Sequence, residues 1–184
     1  MMDSGQVQQL PVLIVGAGPV GLALATALCS MGVRTELFEA LPELSPEARA
    51  STVHPATLEM LDEWDVAEAV IARGHKVRKL QYWDREKMEL VAEYRYDAIE
   101  GDTRFPYRLQ CPQSIITRTL KPIVEETESG QVHMGHKLVS YRDMGDHVEA
   151  VFETPEGLKT VRGSYLCGAD GSRSAVRKGL GLGF

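Results

Sequence analysis

The sequence predicts an α/β fold with a Rossmann-like parallel sheet and an antiparallel crossover meander. Residues 12–39 carry a short apolar run, a glycine-rich turn, a helical pattern and a second apolar run, which together predict a β-α-β unit. Residues 137–163 carry strand patterns separated by short turns, which predict the meander. The 184 residues suit one domain of ordinary size.

The β-α-β unit begins at the run Val12–Val15, which is typical of a central parallel strand buried on both faces. The helix after the glycines is predicted from apolar residues at helical spacing, which are Val20, Leu24, Leu28 and Met31. Gly32 is expected to end this helix. Thr35–Phe38 then form a second strand and close the unit.

The middle of the chain is predicted to mix helices and strands. A short helix can start at Pro55, and a capping-box pattern at Asp65–Glu68 predicts another helix that ends at Gly74. Residues 77–97 are expected to form two strands. Their aromatic residues could face a substrate, but packing is the favoured interpretation for Tyr82, Trp83, Tyr94 and Tyr96.

The last third of the chain is predicted to begin with a longer helix, from Gln113 to about Glu128, bent at Pro122. The meander that follows has three strands, which are Lys137–Arg142, His147–Glu153 and Lys159–Gly163. Tyr165–Cys167 form a last short strand, and after a turn a basic helix starts near Arg173.

Charge and composition argue against several classes of function. A net charge of −6 and a pI near 5.4 offer no basic face to nucleic acid. The three cysteines form no CxxC pair, so reduced thiols in a cytoplasmic protein are expected. His133 and His136 are expected on opposite faces of one strand, so no metal site is predicted.

The uncharged segment 11–29 is long enough to raise the question of a membrane span or a signal peptide. No Lys or Arg precedes it, and three glycines and Pro19 interrupt it where a turn is needed. We therefore interpret the segment as a buried strand followed by a buried helix, and predict no membrane association.

The turn in this segment has the pattern GxGxxG, formed by Gly16, Gly18 and Gly21, with Pro19 inside it. The first glycine allows a tight turn, the second lets backbone N–H groups approach a pyrophosphate, and the third lets the helix pack closely on the strand. Glu39, at the end of the second strand, can accept hydrogen bonds from both ribose hydroxyls and would repel a 2′-phosphate. The pattern predicts a dinucleotide site, and a glycine turn without a ligand is the alternative.

Three further segments single out one kind of dinucleotide protein. They are residues 47–59, the pair Pro112–Gln113, and the run Cys167–Arg177 with Asp170 and Gly171 at its centre. With the glycine turn, in this order, they resemble the class A flavoprotein monooxygenases, and the chain is similar to para-hydroxybenzoate, phenol and salicylate hydroxylases from Leu13 onward. The resemblance makes FAD the expected dinucleotide.

The resemblance also implies roles for particular residues. Arg49 would contact the FAD phosphate and ribose, and Gln113 would touch the cofactor from the start of its helix. Asp170 and Gly171 would form the DG motif, which serves both FAD and the transient NAD(P)H. No residue is predicted as an acid, a base or a nucleophile, because the cofactor carries the chemistry.

By the same resemblance, the protein would use NAD(P)H and O₂ to hydroxylate a small aromatic substrate. Residues 1–184 would form the FAD-binding domain, with 77–110 as the beginning of a substrate-side sheet. The family's GD motif is expected next, but the sequence ends at Gly183–Phe184 before it. We therefore expect the front part of a longer enzyme, without turnover, that self-associates through uncovered apolar faces.

Two other functions stay open at this point. The chain could be a nucleotide-binding module that holds ADP or FAD without catalysis, which the missing GD segment favours. It could also be an NAD-dependent dehydrogenase. The DG run and the loop of Arg49 argue against the dehydrogenase, as does the lack of a plausible His or Lys arrangement for hydride transfer.

Overall fold

The computed structural model describes residues 10–47 and 50–183, which divide into two compact units. The first unit contains the described residues up to Ser45 and those from Leu120 onward, and the second contains Pro46–Thr119. A parallel sheet, several antiparallel sheets and helices are all present, so the predicted α/β class is confirmed.

The strands, in chain order, are β1 (Val12–Val15), β2 (Thr35–Glu39), β3 (Thr52–Val53), β4 (His75–Val77), β5 (Lys79–Asp84), β6 (Glu89–Arg95), β7 (Arg108–Gln110), β8 (Gly130–Met134), β9 (Lys137–Asp143), β10 (Val148–Thr154), β11 (Gly157–Gly163) and β12 (Tyr165–Gly168). The helices are α1 (Pro19–Ser30), α2 (Pro55–Glu63), α3 (Ala67–Ile71), α4 (Gln113–Glu125) and α5 (Ala175–Gly179), with a 3-10 helix at Tyr96–Ile99.

The first unit is built on a parallel sheet of order β12-β1-β2-β8 and an antiparallel sheet of order β11-β10-β9. The predicted β-α-β unit and meander are both confirmed. One buried cluster contains residues of both sheets and α5, which are Leu13, Val15, Phe38, Leu138, Ala150, Phe152 and Val176. The rings of Phe38 and Phe152 stack at a centroid distance of 4.1 Å. This core fixes the carboxyl ends of β1, β2 and β12 at one edge of the sheet.

Helix α1 buries a different face from the one that its large apolar residues suggest. Val20 and Met31 are 70% and 68% exposed. The buried side consists mainly of small residues, which are Gly21, Leu22, Ala25, Thr26 and Cys29. Small residues let the helix approach the sheet closely, so close packing overrides side-chain size here. Within the described residues, none of the helices has the length and apolar character needed to cross a membrane.

The second unit contains the small sheet β3-β7-β4 and the hairpin β5-β6. The hairpin was predicted, whereas β3, β4 and β7 were not, because two or three residues are too few to show a periodic pattern. Tyr82, Trp83 and Tyr94 on the hairpin are 54%, 52% and 62% exposed, so packing inside a core does not account for them. Tyr82 and Tyr94 instead contact each other edge to face at 5.9 Å.

The predicted capping box at Asp65–Glu68 is wrong. Asp65 has a φ of 59°, and its N–H donates to Asp62 O at the end of α2. Helix α3 therefore starts after Val66, without a side-chain cap. Two helix ends also differ from expectation: α4 stops at Glu125 with Pro122 inside it, and the helix expected near Arg173 is α5, which starts at Ala175.

The prediction that His133 and His136 lie on opposite faces of one strand is also wrong. Strand β8 ends at Met134, and Gly135, with a φ of 70°, turns the chain before His136. The two imidazole rings lie 5.4 Å apart as a result. His133 also stacks on Phe38 at 4.7 Å, so both histidines pack around a core aromatic ring.

Glu36 on β2 and His133 on β8 form a cross-strand pair in which His133 Nε2 lies 3.1 Å from Glu36 Oε2. This hydrogen bond lowers the pKa of Glu36 against the opposing effect of burial, and the charges of His133, Arg34 and Lys159 lower it further. The pair therefore stabilises the ionised carboxylate in the folded state.

A depressed pKa gives Glu36 a defined effect on acid stability. Its contribution is complete above the unfolded pKa, near 4.5, and is lost as the pH falls through the lower folded value. Glu36→Gln should therefore flatten the decline in the free energy of unfolding below about pH 4.5. Urea unfolding across a pH series measures this, with exposed Glu43→Gln as the control. An unchanged acid limb in Glu36→Gln would contradict the pairing.

Candidate nucleotide-binding site

The candidate site lies where β1, β2 and β12 end together. Backbone hydrogen bonds join the three ends: Gly16 N–H donates to Phe38 O at 2.7 Å, and Ala169 N–H donates to Val15 O at 2.8 Å. The glycine turn, the end of β2 and the Gly168–Gly171 turn are thus neighbours. Ligands of open α/β sheets bind at this end of the strands.

The three glycines of the turn have three different surroundings. Gly16 has a φ of +106°, and a Cβ there would lie 2.5 Å from Ala169 O. A Cβ on Gly21 would lie 1.9 Å from Gly16 O. A Cβ on Gly18 would meet no heavy atom within 4 Å. The chain itself therefore requires glycine at positions 16 and 21, whereas Gly18 borders open space.

The start of α1 adjoins that open space. Pro19 is the first residue of the helix, and its first turn has no acidic residue and no side-chain cap. The N-terminus of a helix carries a partial positive charge and N–H groups that point outward, which suits a phosphate. The space at Gly18 and the uncapped helix end therefore fit the pyrophosphate of FAD.

Glu39 holds the glycine turn to the end of β2 through both carboxylate oxygens. Ala17 N–H donates to Oε2 at 2.8 Å, and Leu41 N–H donates to Oε1 at 3.0 Å. A carboxylate oxygen can accept more than one hydrogen bond, so each retains capacity for a ribose hydroxyl. Because two backbone groups orient the side chain, this geometry is set by the fold.

The carboxylate of Asp170 accepts hydrogen bonds from residues at the start of α5. Ser174 Oγ donates to Oδ1 at 2.5 Å, and the N–H groups of Ala175 and Val176 donate to Oδ2 at 2.6 and 3.3 Å. The following Gly171 has a φ of +75°, which favours glycine at this turn. The carboxylate therefore shapes the turn at the start of α5.

Two predicted cofactor residues belong to another part of the chain. Arg49 lies outside the described residues, so its predicted contact with FAD stays a prediction. Gln113 starts α4 in the second unit, and its N–H donates to Ala50 O at 2.8 Å. That bond ties the start of the helix to the residue next to Arg49, while the role of the Gln113 side chain also stays a prediction.

Cys111, which is buried, and Cys167, which is half-buried, do not provide an activated nucleophile. Burial raises the pKa of the Cys111 thiol and of the Cys167 thiol. A raised pKa keeps a thiol protonated at neutral pH, and the thiolate is the reactive form. The site geometry therefore supports ligand binding and positioning rather than covalent catalysis by these cysteines.

Comparison with known proteins decides between the possible dinucleotide folds. The family described as "FAD binding domain" matches residues 9–184. The chain belongs to this family. Para-nitrophenol 4-monooxygenase of Pseudomonas sp. (strain WBC-3) is 28% identical over 173 residues, which cover 94% of this chain and 43% of that protein. The resemblance to class A flavoprotein monooxygenases is confirmed.

Solved structures of FAD-binding-domain proteins agree with the fold. The p-nitrophenol 4-monooxygenase PnpA from Pseudomonas putida DLL-E4 matches with a TM-score of 0.90 and 28% identity, over 96% of this chain and 44% of that one. Aklavinone-11 hydroxylase, in a ternary complex with FAD and aklavinone, matches with a TM-score of 0.82 and 31% identity, over 98% and 36%. The chain thus spans less than half the length of these relatives.

The sequence patterns missed two contacts that organise the site. The bond from Ala17 to Glu39 joins residues 22 apart, and no local pattern marks such a pair. The bond from Ser174 to Asp170 has no such pattern either, although serine just before a helix is a preferred capping residue. Ser174 is only 7% exposed, and it also accepts from Arg177 N–H.

Glu39→Ala should weaken ADP binding by about 1 to 3 kcal/mol, because two ribose hydroxyls lose a charged acceptor. Calorimetric titration with ADP measures the loss. Inorganic pyrophosphate serves as the matched ligand without a ribose, and its affinity should change much less. Equal losses for both ligands would mean that Glu39 acts only by holding the turn.

Proposed function

We propose that this chain is the FAD-binding, N-terminal portion of an NAD(P)H-dependent flavin monooxygenase that hydroxylates an aromatic substrate. The observation that carries the proposal is the open space at Gly18, which adjoins the uncapped start of α1 and follows Ala17, whose N–H donates to the carboxylate of Glu39. Membership of the FAD binding domain family supports FAD as the ligand of this space.

Different residues of the site would contact different parts of the cofactor. The backbone from Gly16 to Gly21, including Pro19, would hold the pyrophosphate, and Glu39 would accept from the ribose. The main chain of Asp170 and Gly171 would border the cofactor from the side of β12. Arg49 and Gln113 would add the contacts that the family resemblance implies.

When bound, FAD would supply the redox chemistry, with NAD(P)H as the reductant and O₂ as the oxidant. The residues of this chain would bind the adenosine end, orient it and exclude water from it. An aromatic substrate is supported by relatives whose names specify nitrophenol and aklavinone. A cytoplasmic, reducing setting is supported by Cys29, Cys111 and Cys167, which are free thiols.

A second candidate is a nucleotide-binding module without turnover. The supporting observation is coverage, since the chain spans 43% and 44% of two monooxygenase relatives. The contacts proposed for the glycine turn and for Glu39 also concern the ADP half of the cofactor. Under this alternative the chain binds ADP and FAD alike but does not oxidise NAD(P)H.

The affinities of this chain for ADP and FAD test both candidates. We expect the two affinities to agree within about threefold, which is less than 1 kcal/mol, because the isoalloxazine finds little surface here. Flavin absorbance, calorimetry and an NAD(P)H oxidation assay with p-nitrophenol provide the measurements. Failure to bind either nucleotide would overturn the proposal. FAD binding far tighter than ADP binding would show that these residues also hold the flavin end, and steady hydroxylation would show that they suffice for catalysis.

A further inference from the structure

Tyr141 joins strand β9 to helix α5 through two contacts. Its hydroxyl donates to Val176 O at 2.8 Å. Its ring lies against Gly179, where an added Cβ would be 2.6 Å from Tyr141 Cε1. The same ring packs on the buried cluster of the first unit. Because α5 has only five residues and a helix this short is not stable by itself, its position depends on such contacts.

The start of α5 is held in turn to the end of β12. One carboxylate oxygen of Asp170 accepts from Ser174 Oγ at 2.5 Å, and the other accepts from Ala175 N–H at 2.6 Å. Val176 lies against Gly168, where an added Cβ would be 2.7 Å from Val176 Cβ. A displacement of α5 would therefore displace the turn that contains Asp170.

Ala169 joins that turn to the glycine turn. A Cβ on Gly16 would lie 2.5 Å from Ala169 O and 3.1 Å from Asp170 Cα. A Cβ on Gly21 would lie 3.3 Å from Ala169 Cβ. Ala169 N–H also donates to Val15 O at 2.8 Å. Closely packed parts of a protein transmit small shifts to each other, so the position of residues 169 and 170 constrains the backbone of the glycine turn.

These contacts form one continuous path within the first unit, from Tyr141 through α5 and Ala169 to the glycine turn. We propose that Tyr141 is a positioning residue of the nucleotide site, which holds the glycine turn in the geometry that receives the pyrophosphate. This role rests on the proposed function, because it requires a nucleotide at Gly18. The effect of Tyr141 on binding passes through α5, which its hydroxyl and its ring both contact.

Tyr141→Phe removes the hydroxyl and keeps the ring. Val176 O retains a second donor, Leu180 N–H at 3.1 Å, so the change leaves this carbonyl with a partner. Calorimetric titration of the whole chain with ADP, well below the midpoint of thermal unfolding, should show a loss of affinity of about three- to tenfold, which corresponds to one neutral hydrogen bond. Tyr165→Phe is the matched control, because Tyr165 is 69% exposed, and its affinity should not change.

Val161→Ala separates positioning from stability. Tyr141, Ala150 and Val161 lie in one row across β9, β10 and β11, and Val161 packs on the same buried cluster as Tyr141. Val161→Ala should lower the midpoint of thermal unfolding, because it removes packed methyl groups. It should leave the ADP affinity of the folded chain unchanged. Equal losses of affinity in Val161→Ala and Tyr141→Phe would show that Tyr141 only stabilises the fold.

Gly179→Ala perturbs the same contact from the side of α5. The added Cβ would lie 2.6 Å from Cε1 and 2.9 Å from Cζ of Tyr141, so the helix or the ring must shift and the ADP affinity should fall. Tyr141→Leu removes these ring atoms. The double variant should therefore bind ADP more tightly than the two single losses together predict. Coupling of this kind is the physical evidence for a path, and additive losses would contradict the proposal.

The titrations distinguish a failure of this proposal from a failure of the proposed function. A loss of affinity in Tyr141→Phe, with normal ADP binding in Tyr165→Phe and Val161→Ala, supports the positioning role. If the wild type and Tyr141→Phe bind ADP equally well, the proposed function stands and only the role of Tyr141 fails. If the wild type does not bind ADP, the proposed function and the positioning role fail together.

Discussion

Gly18→Val is expected to abolish dinucleotide binding without unfolding the chain. The backbone at Gly18 has φ −69° and ψ 176°, an extended conformation that valine adopts readily. A Cβ there meets no protein atom within 4 Å. The same space is the one that a pyrophosphate would fill at the start of α1. The two methyl groups of the valine would therefore occupy the space of the ligand without displacing protein atoms.

The loss should exceed about a hundredfold in affinity for ADP and for FAD, equivalent to roughly 3 kcal/mol. Stability should change by at most about 1 kcal/mol, since the position is only the cap of α1. Gly101→Val is the matched control, because Gly101 also borders open space and is not part of the turn. Unchanged ADP affinity in a folded Gly18→Val chain would show that phosphates do not bind at this turn.

Much of the first unit could be predicted from local patterns. An apolar run before GxGxxG was enough to predict β1, and turn residues at regular spacing were enough to predict β9, β10 and β11. These elements follow from hydrophobic periodicity and from turn chemistry, which lie within a few residues of each other. The glycine turn was predicted for the same reason.

Other features depend on contacts between distant residues, so no local pattern contains them. The buried face of α1 is decided by how closely Gly21 approaches Gly16 O, and not by the largest apolar side chains. Tyr82 and Tyr94 favour a strand whether the hairpin is buried or exposed, so their strand propensity does not predict their exposure.

The position of the Asp170 motif could be predicted from the sequence, but the hydrogen bonds of the Asp170 carboxylate could not. The DG pattern was predicted to serve the cofactor, and the structure does place it beside the glycine turn, where Ala169 N–H donates to Val15 O. Three hydrogen bonds from Ser174, Ala175 and Val176 nevertheless occupy the carboxylate. The Asp170 side chain therefore also holds the start of α5, a role that the motif alone did not indicate.

Gly21→Ala is expected to destabilise the fold, which makes it the counterpart of Gly18→Val. The added Cβ would lie 1.9 Å from Gly16 O and 3.3 Å from Ala169 Cβ. The nearest atom belongs to the backbone, so α1 or the turn must shift. Alanine gains about 1 kcal/mol over glycine in a helix, but overpacking costs about 1 to 3 kcal/mol and occasionally more. We expect a net loss of about 2 kcal/mol in the free energy of unfolding.

Urea unfolding of Gly21→Ala measures this loss, and Gly18→Ala is the matched control in the same turn. Both changes add one methyl group, yet only position 21 faces backbone atoms at short range. Gly18→Ala should therefore cost less than about 1 kcal/mol. Equal stability of the two variants would mean that α1 can move away from β1 at little cost. The close approach of helix and strand would then not be what requires glycine at position 21.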